Sequence, residues 1–351
     1  MGTNREMANN LIIRALRGNA KSFSLSSKKI ASLPKSIARL KFILALHLNN
    51  NFLSELPTEL QALQQLTELN LGNNILLEIP VVLKHLPALR KLYLFGNKIE
   101  SLPPDILDEL PNLTLLNVNH NQIKAIPPQI KSLVNLEVFS IVDNQLEVVP
   151  AELGCLVRLT ELNLTNNKVS SLPPQMCRLS SLRKLYLARN NLCELPEGIS
   201  GCTSLKVLDV AGNPLSLFPT DFGSLVLEEL FCEGNNFVRA ELKQSVQEVE
   251  VLSLNELAAR VVLMEDRNKL SRVHQALPNY PELVSMLSQW GRCALCRRPF
   301  LTTWLECVKF INLNKDMGMK RRLTVPVRAV LCSYSCFNAE GHSYYGVAST
   351  S

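Results

Sequence analysis

The sequence predicts a curved α/β solenoid: one long parallel sheet of short strands, a convex side of 3-10 and short helical turns, and a small helical and cysteine-rich module at the C-terminal end. Three observations predict it. An asparagine returns about every 23 residues, at Asn51, Asn74, Asn97, Asn121, Asn144, Asn167, Asn190, Asn213 and Asn235. Leucines spaced two apart precede nearly every one of them. After the repeats end, two close cysteine pairs, Cys293 with Cys296 and Cys332 with Cys336, lie in the last third of the chain.

The repeats come first because self-similarity at a fixed period decides the architecture. "LTELNLGNNILLEIP" returns as "LRKLYLFGNKIESLP", "LTELNLTNNKVSSLP" and "LRKLYLARNNLCELP", and the frame reads LxxLxLxxNxxxxxLPxxxxxLxx. The spacing is 23 residues except for a step of 24 ending at Asn121 and one of 22 ending at Asn235. Counting a degenerate first unit at "FSLSSKKIASLP", there are ten repeats, the first and last atypical as capping units should be. Each LxL is a strand with one buried face, so its leucines point inward and the residues between them point out. The asparagine stands where the chain leaves the strand, where its amide can satisfy turn backbone groups of the next coil. One repeat buries about five large apolar side chains at about 2 kcal/mol each, against roughly 1.5 kcal/mol of ordering cost per residue. Stacking is therefore obligatory. The Pro-punctuated half of each repeat is too short for a long helix. Residues 1–20, containing "LIIRAL", are expected to form a helical N-terminal cap.

This frame resembles the cytosolic leucine-rich-repeat proteins, curved interaction scaffolds, over residues 21–236, and the resemblance implies an α/β leucine-rich-repeat solenoid. The residues expected to face away from the core include Glu68, Asn70, Lys91, Tyr93, Phe95, Glu161, Asn163, Lys184, Tyr186, Asp209, Glu229, Phe231 and Glu233. A nearly neutral groove with Tyr93, Phe95, Tyr186 and Phe231 as anchors suits a protein client, since interface energy concentrates on aromatic residues. Such aromatics also serve as plain cross-strand packing. Nucleic acid is not favoured here. The five histidines are scattered and no catalytic set emerges, so an enzyme is not expected.

Residues 237–290 are expected to be a helical cap or linker. Within "SLNELAARVV", Ser253 and Glu256 form a capping-box pattern, and Leu254, Leu257, Ala258, Val261 and Val262 fall at helical spacing on one side. Such a helix could simply lay its apolar face over the last coil. The order Ser253, Leu254, Ala258, Val262 also resembles the BC-box of elongin-binding substrate receptors, in which the leucine enters a pocket on elongin C and the small residue permits close helix approach. A cullin box follows in that family, and "ALPNYPELVSML", with Leu277, Pro278, Pro281, Leu283 and Leu287, is similar, although it departs in register and lacks the Tyr-Leu ending.

In the module over 291–351, the pairs in "CALC" and "CSYSC" have the spacing of a tetrahedral Zn²⁺ site, each pair clamping from one knuckle. A structural zinc would supply on the order of 10 kcal/mol to a small module with few large core residues. Unmetallated core thiols are the alternative. Cys307 reads as a core residue, and Cys155, Cys177, Cys193, Cys202 and Cys232 as structural positions inside the repeats.

Composition narrows the field further. Hydrophobic residues make up 46% and charged ones 19%, which excludes a disordered chain, and the net charge is only +6. Of that excess, +5 falls after residue 236, where 15 Lys or Arg meet 10 Asp or Glu. No stretch has the roughly 18 uninterrupted apolar residues of a membrane span. No secretory leader is recognisable, so the expectation is a cytoplasmic protein with reduced cysteines, the nucleus remaining open because of "KRR" at 320–322. Together these features predict a non-catalytic scaffold that binds a protein client on its concave face and docks elongin B/C, with a cullin, through 250–290. The competing expectation is an interaction scaffold with no ubiquitin-ligase role.

Overall fold

The computed structural model describes residues 2–18, 20–238, 252–288, 290–302, 304–339 and 341–346. The chain forms two compact units, one comprising Met1–Leu215 with Ser224–Asn236, the other Ser216–Gly223 with Phe237–Ser351. Part of the expected linker, residues 239–251, lies outside the described residues.

The first unit opens with helix α1, Gly2–Arg17, which buries Ala8 and Ile12 completely. Ten short parallel strands follow: β1 (Ser22–Ser24), β2 (Ala45–His47), β3 (Glu68–Asn70), β4 (Lys91–Tyr93), β5 (Leu115–Asn117), β6 (Val138–Ser140), β7 (Glu161–Asn163), β8 (Lys184–Tyr186), β9 (Val207–Asp209) and β10 (Glu229–Phe231). They pair strictly in chain order. The register aligns the middle residues into one row, Leu46, Leu69, Leu92, Leu116, Phe139, Leu162, Leu185, Leu208 and Leu230. All nine are buried, so each strand contributes one inward side chain flanked by two outward ones.

On the opposite side the Leu-Pro elements start 3-10 turns such as Thr58–Ala62, Ala151–Cys155 and Pro174–Arg178. Each is preceded by a proline in extended backbone, with φ of −69° at Pro57, −73° at Pro150 and −69° at Pro173. Proline fixes that φ and has no N–H to leave unsatisfied, so it sets the entry angle of each turn. The coil that is one residue longer, between Asn97 and Asn121, makes a true α-helical turn instead, α2 at Pro104–Asp108. The extra residue is what the wider winding needs.

The asparagine ladder joins the coils. In the middle of the array, Asn97 Nδ2 donates to Leu94 O at 2.9 Å in its own coil and to Leu71 O at 3.0 Å in the preceding one, while its Oδ1 accepts from Leu76 N–H at 3.1 Å. The same triad recurs at Asn74, Asn144, Asn167, Asn190 and Asn213. The amide therefore serves the preceding coil and not the next one, as the repeat frame had suggested; its side chain points back along the solenoid because the strand exit lies beyond the previous turn. The residue just before the ladder asparagine is left-handed in successive coils, including Asn50, Asn73, Gly96, His120, Asp143, Asn166, Arg189 and Gly212 with φ between 53° and 67°. Asn, Asp, His and Gly tolerate that region best, which accounts for most of the residues found there.

The second unit contains α3 (Leu254–Asp266), α4 (Arg272–Ala276) and α5 (Pro281–Leu287), then β11 (Gly291–Arg292) antiparallel to β12 (Pro299–Phe300). A long antiparallel hairpin of β13 (Leu305–Asn312) and β14 (Thr324–Leu331) follows, with α6 (Leu313–Met317) in its connection. Next come α7 (Tyr334–Phe337) and β15 (Tyr344–Gly346), which extends the sheet beside β13. Ser216–Gly223 joins this unit because Phe218 N–H donates to Pro326 O at 3.0 Å and Phe218 O accepts from Arg328 N–H at 2.8 Å. Beside that bridge the ring of Phe218 stacks on Phe222, with centroids 4.0 Å apart, and meets Phe237 in a tilted contact at 5.1 Å.

Candidate metal centre and docking helix

Two tight turns bring the four predicted cysteines together. The first lies between β11 and β12, where Cys293 N–H donates to Arg298 O at 2.9 Å and Arg297 takes a left-handed φ of 62°. The second follows β14, where the Ser333 side chain caps α7 by accepting from Cys336 N–H. Ala294 N–H donates to Val330 O at 2.8 Å and ties the first turn to the end of β14. As a result the Sγ atoms of Cys293, Cys296, Cys332 and Cys336 all lie within 4.8 Å of one another, with Cys296 to Cys332 at 3.5 Å and Cys332 to Cys336 at 3.7 Å.

Four thiolates about 2.3 Å from a central zinc stand roughly 3.8 Å apart, so the cluster matches the edge of a Zn–S tetrahedron. The backbone around it is also arranged for negative sulfur. Burial pushes the Cys293 thiol up, but the N–H groups of Cys332, Cys296 and Leu295 converge on it and bring it down to about 7. Burial and the neighbouring Cys296 push Cys332 and Cys336 up. Cys307 is buried beside the cluster, its thiol pushed up to about 11 by burial and by Cys293, and it is a core residue as predicted. Cys202 and Cys232 are buried within the repeats, whereas Cys155 and Cys193 are exposed thiols and not the structural positions expected. They stand on turns rather than on the inward row.

Helix α3 departs from the capping reading. Ser253 accepts from Glu256 N–H at 3.2 Å, but the Glu256 carboxylate does not return to the cap. It is completely buried and accepts from Leu301 N–H at 3.0 Å, from Thr302 N–H at 2.6 Å, from Thr302 Oγ1 at 3.0 Å and from Arg260 Nε at 2.6 Å. The packed face of α3 is Glu256, Ala259 and Leu263, with Val262 partly buried, against Leu287 and Leu301. Most of the apolar stripe expected to pack is turned outward instead: Leu254 is 85% exposed, Val261 62% and Leu257 48%, and Ala258 is exposed beside them, while Val262 packs inward; Met264, outside the expected stripe, adds a 50% exposed side chain to the outward face. The sequence pattern gives no role to Glu256 and Arg260 beyond the cap, although Glu256 stands three and seven residues before Ala259 and Leu263 and so shares their inward row.

Of the residues resembling a BC-box, Leu254 and Ala258 therefore face out and Val262 faces in. In the cullin-box-like segment, Leu277 and Leu283 pack on the Ala259 cluster and Leu287 is buried, while Pro278 and Tyr280 are exposed.

On the outward face of the ten-stranded sheet, Tyr93, Phe95 and Tyr186 are half-buried and Phe231 is 39% exposed. Phe95 lies over Gly72, where a Cβ would come 2.3 Å from the ring. The segments "ELN" and "KLY" occur twice in neighbouring strands, β3 with β4 and β7 with β8. Their ion pairs are Lys91 with Glu68 at 3.7 Å and Lys184 with Glu161 at 3.2 Å. Near the end of the sheet, burial pushes the Asp209 carboxyl up against a lowering hydrogen bond from Ala211 N–H, and Glu233 adds to the rise.

Residues 43–99, 65–123, 87–146, 111–169 and 157–215 match the leucine rich repeat family model. That span carries leucine-rich repeats, in keeping with its asparagine ladder and parallel sheet. Among curated proteins it is similar to leucine-rich repeat-containing protein 69 of Mus musculus, 40% identical over 135 residues, which make up 38% of each chain. The counterpart in Xenopus laevis is 42% identical over 132 residues, 37% of this chain and 38% of that one. The chain thus spans well under half the length of the curated relatives it matches. Among solved structures, a plant peptide hormone receptor, RGFR1 in complex with RGF2, superimposes with a TM-score of 0.52 at 29% identity, covering 58% of this chain and 34% of the receptor.

Proposed function

We propose that the protein is a non-catalytic cytoplasmic interaction scaffold that binds a protein client on the outward face of β1–β10 and docks elongin B/C through α3, as the substrate receptor of a cullin-type ubiquitin ligase. The observation that carries the docking half is the outward stripe of Leu254, Leu257, Val261 and Met264, on a helix whose other face is already occupied. Apolar residues at positions i, i+3, i+7 and i+10 of one helix are how helix-in-groove partners are engaged. Support for a client comes from the aromatic anchors Tyr93, Phe95, Tyr186 and Phe231, and from the similar plant receptor RGFR1, whose structure is that of a complex with RGF2. Nucleic acid and membrane are not the partners proposed; no helix among the described residues is long and apolar enough to cross a membrane. The ion proposed for Cys293, Cys296, Cys332 and Cys336 is a structural zinc, on the fit of the sulfur spacing.

The test is affinity purification of the full chain from cells, with elongin B and C detected directly, beside Leu254→Glu. Because Leu254 is 85% exposed, this variant should fold as the wild type does. Elongins that copurify with the wild type and not with the variant support the reading; their absence from both removes the ligase. A plain interaction scaffold is then the second reading. It is favoured by the inward packing of Leu277, Leu283 and Leu287, which leaves the two prolines, Pro278 and Pro281, as the accessible cullin-box-like residues.

A further inference from the structure

We propose that Glu256 and Arg260 are positioning residues that make the presentation of α3 depend on metal at the four-cysteine centre; this rests on the zinc reading above. The apolar contact that holds α3 is small, consisting of Ala259, Leu263 and part of Val262 against Leu287 and Leu301. Its polar anchors end on backbone next to the cysteine turns. Glu256 accepts from Leu301 and Thr302, the two residues that leave β12, and β12 pairs with β11 directly before Cys293. Arg260 Nη2 donates to Cys332 O at 2.9 Å, and Cys332 is itself a member of the cluster. Phe300, at the end of β12, shares the buried core of Cys293, Cys307 and Cys332.

These contacts work only if both cysteine turns hold still. A zinc ion bridging four thiolates fixes Cys332 and the β11–β12 turn in one arrangement. Without a cation, sulfurs 3.5 to 3.7 Å apart either repel as thiolates or lose their order as thiols. Arg260 then loses a fixed acceptor and Glu256 loses fixed donors, which leaves a buried carboxylate partly unpaired, a state that favours opening. Local opening of α3 follows, while the ten-stranded sheet, which contains none of these residues, stays closed. Metal occupancy thereby sets whether the stripe of Leu254, Leu257, Val261 and Met264 stands on an ordered helix.

Hydrogen exchange on the full chain tests this, with zinc per chain measured in the same samples. In wild-type protein carrying one zinc, stripping the ion with a chelator should accelerate exchange across 254–266 by about tenfold or more, with less than about a twofold change in the sheet strands. Arg260→Met should keep its zinc yet exchange in 254–266 about tenfold faster than wild type, and Arg260→Lys, which can still reach a carbonyl, should recover part of the protection. The coupling is overturned if the stripped wild type exchanges α3 within twofold of the zinc form, or if zinc-replete Arg260→Met matches wild type. A purified chain that contains no zinc overturns the metal reading itself, an outcome distinct from the other two.

Discussion

Glu256→Gln probes the contact that fixes α3, and its effect should depend on pH in a defined direction. The wild-type carboxylate is completely buried and accepts hydrogen bonds from Leu301 N–H, Thr302 N–H, Thr302 Oγ1 and Arg260 Nε. Burial alone would push the carboxyl up, but the Thr302 and Leu301 amides and the Arg260 guanidinium outweigh it and carry it from 4.5 down to about 2. Since each pH unit of such a difference corresponds to about 1.4 kcal/mol, the ionised form contributes on the order of 3 kcal/mol. A carboxylate depressed in the folded state contributes fully above its unfolded value and loses the contribution as pH falls toward the folded value. The window is therefore pH 4.5 down to about 2. Both tryptophans, Trp290 and Trp304, lie in the second unit, so urea unfolding followed by their fluorescence reports on this region. At pH 7 the wild type should exceed Glu256→Gln by up to about 3 kcal/mol, and the gap should shrink to roughly 1 kcal/mol near pH 3. Acid also protonates the proposed zinc-binding thiolates of both proteins, so the difference between them is the quantity to read. A gap under about 1 kcal/mol at pH 7, or one that stays constant down to pH 3, refutes the reasoning.

Other perturbations have equally definite outcomes. Asn97→Ala leaves the Leu76 N–H without its acceptor while Leu71 O keeps a second donor in Asn74, so the first unit should lose about 2 to 4 kcal/mol in urea unfolding followed by circular dichroism. Lys184→Ala removes an exposed ion pair with Glu161 and should leave that transition within about 0.5 kcal/mol, which makes it a clean surface variant for client binding. Cys296→Ala should abolish stoichiometric zinc by elemental analysis, whereas Cys307→Ala, outside the sulfur cluster, should keep it.

Much of the repeat architecture was legible because its determinants are local and periodic. The asparagines mark every strand exit from β2 onward, the LxL pairs give the inward row, and the prolines start most of the 3-10 turns. Even the single α-helical turn at Pro104–Asp108 coincides with the one coil of 24 residues. The cysteine pairs were legible for a similar reason, since metal-ligand spacing is a short-range pattern. The orientation of α3 was not. Leu254, Leu257 and Val261 form the more hydrophobic side, and periodicity assigns that side to the core. The helix is held the other way by Glu256, whose donors Leu301 and Thr302 lie more than forty residues away in sequence. Nor did the frame reveal that Ser216–Gly223, a regular Leu-Pro half by its spacing, pairs through Phe218 with β14. Both are long-range choices that a pattern within one segment does not encode.

Titration calorimetry of the purified 351-residue chain with purified elongin B/C tests the central claim most directly, run for wild type and for Leu254→Glu with matched thermal melts. The account predicts saturable one-to-one binding by the wild type, and a loss of at least about a hundredfold in the variant, the scale expected for a charge placed on a buried hot-spot anchor. Absence of binding by a folded, zinc-replete wild type, or equal binding by both chains, would contradict it.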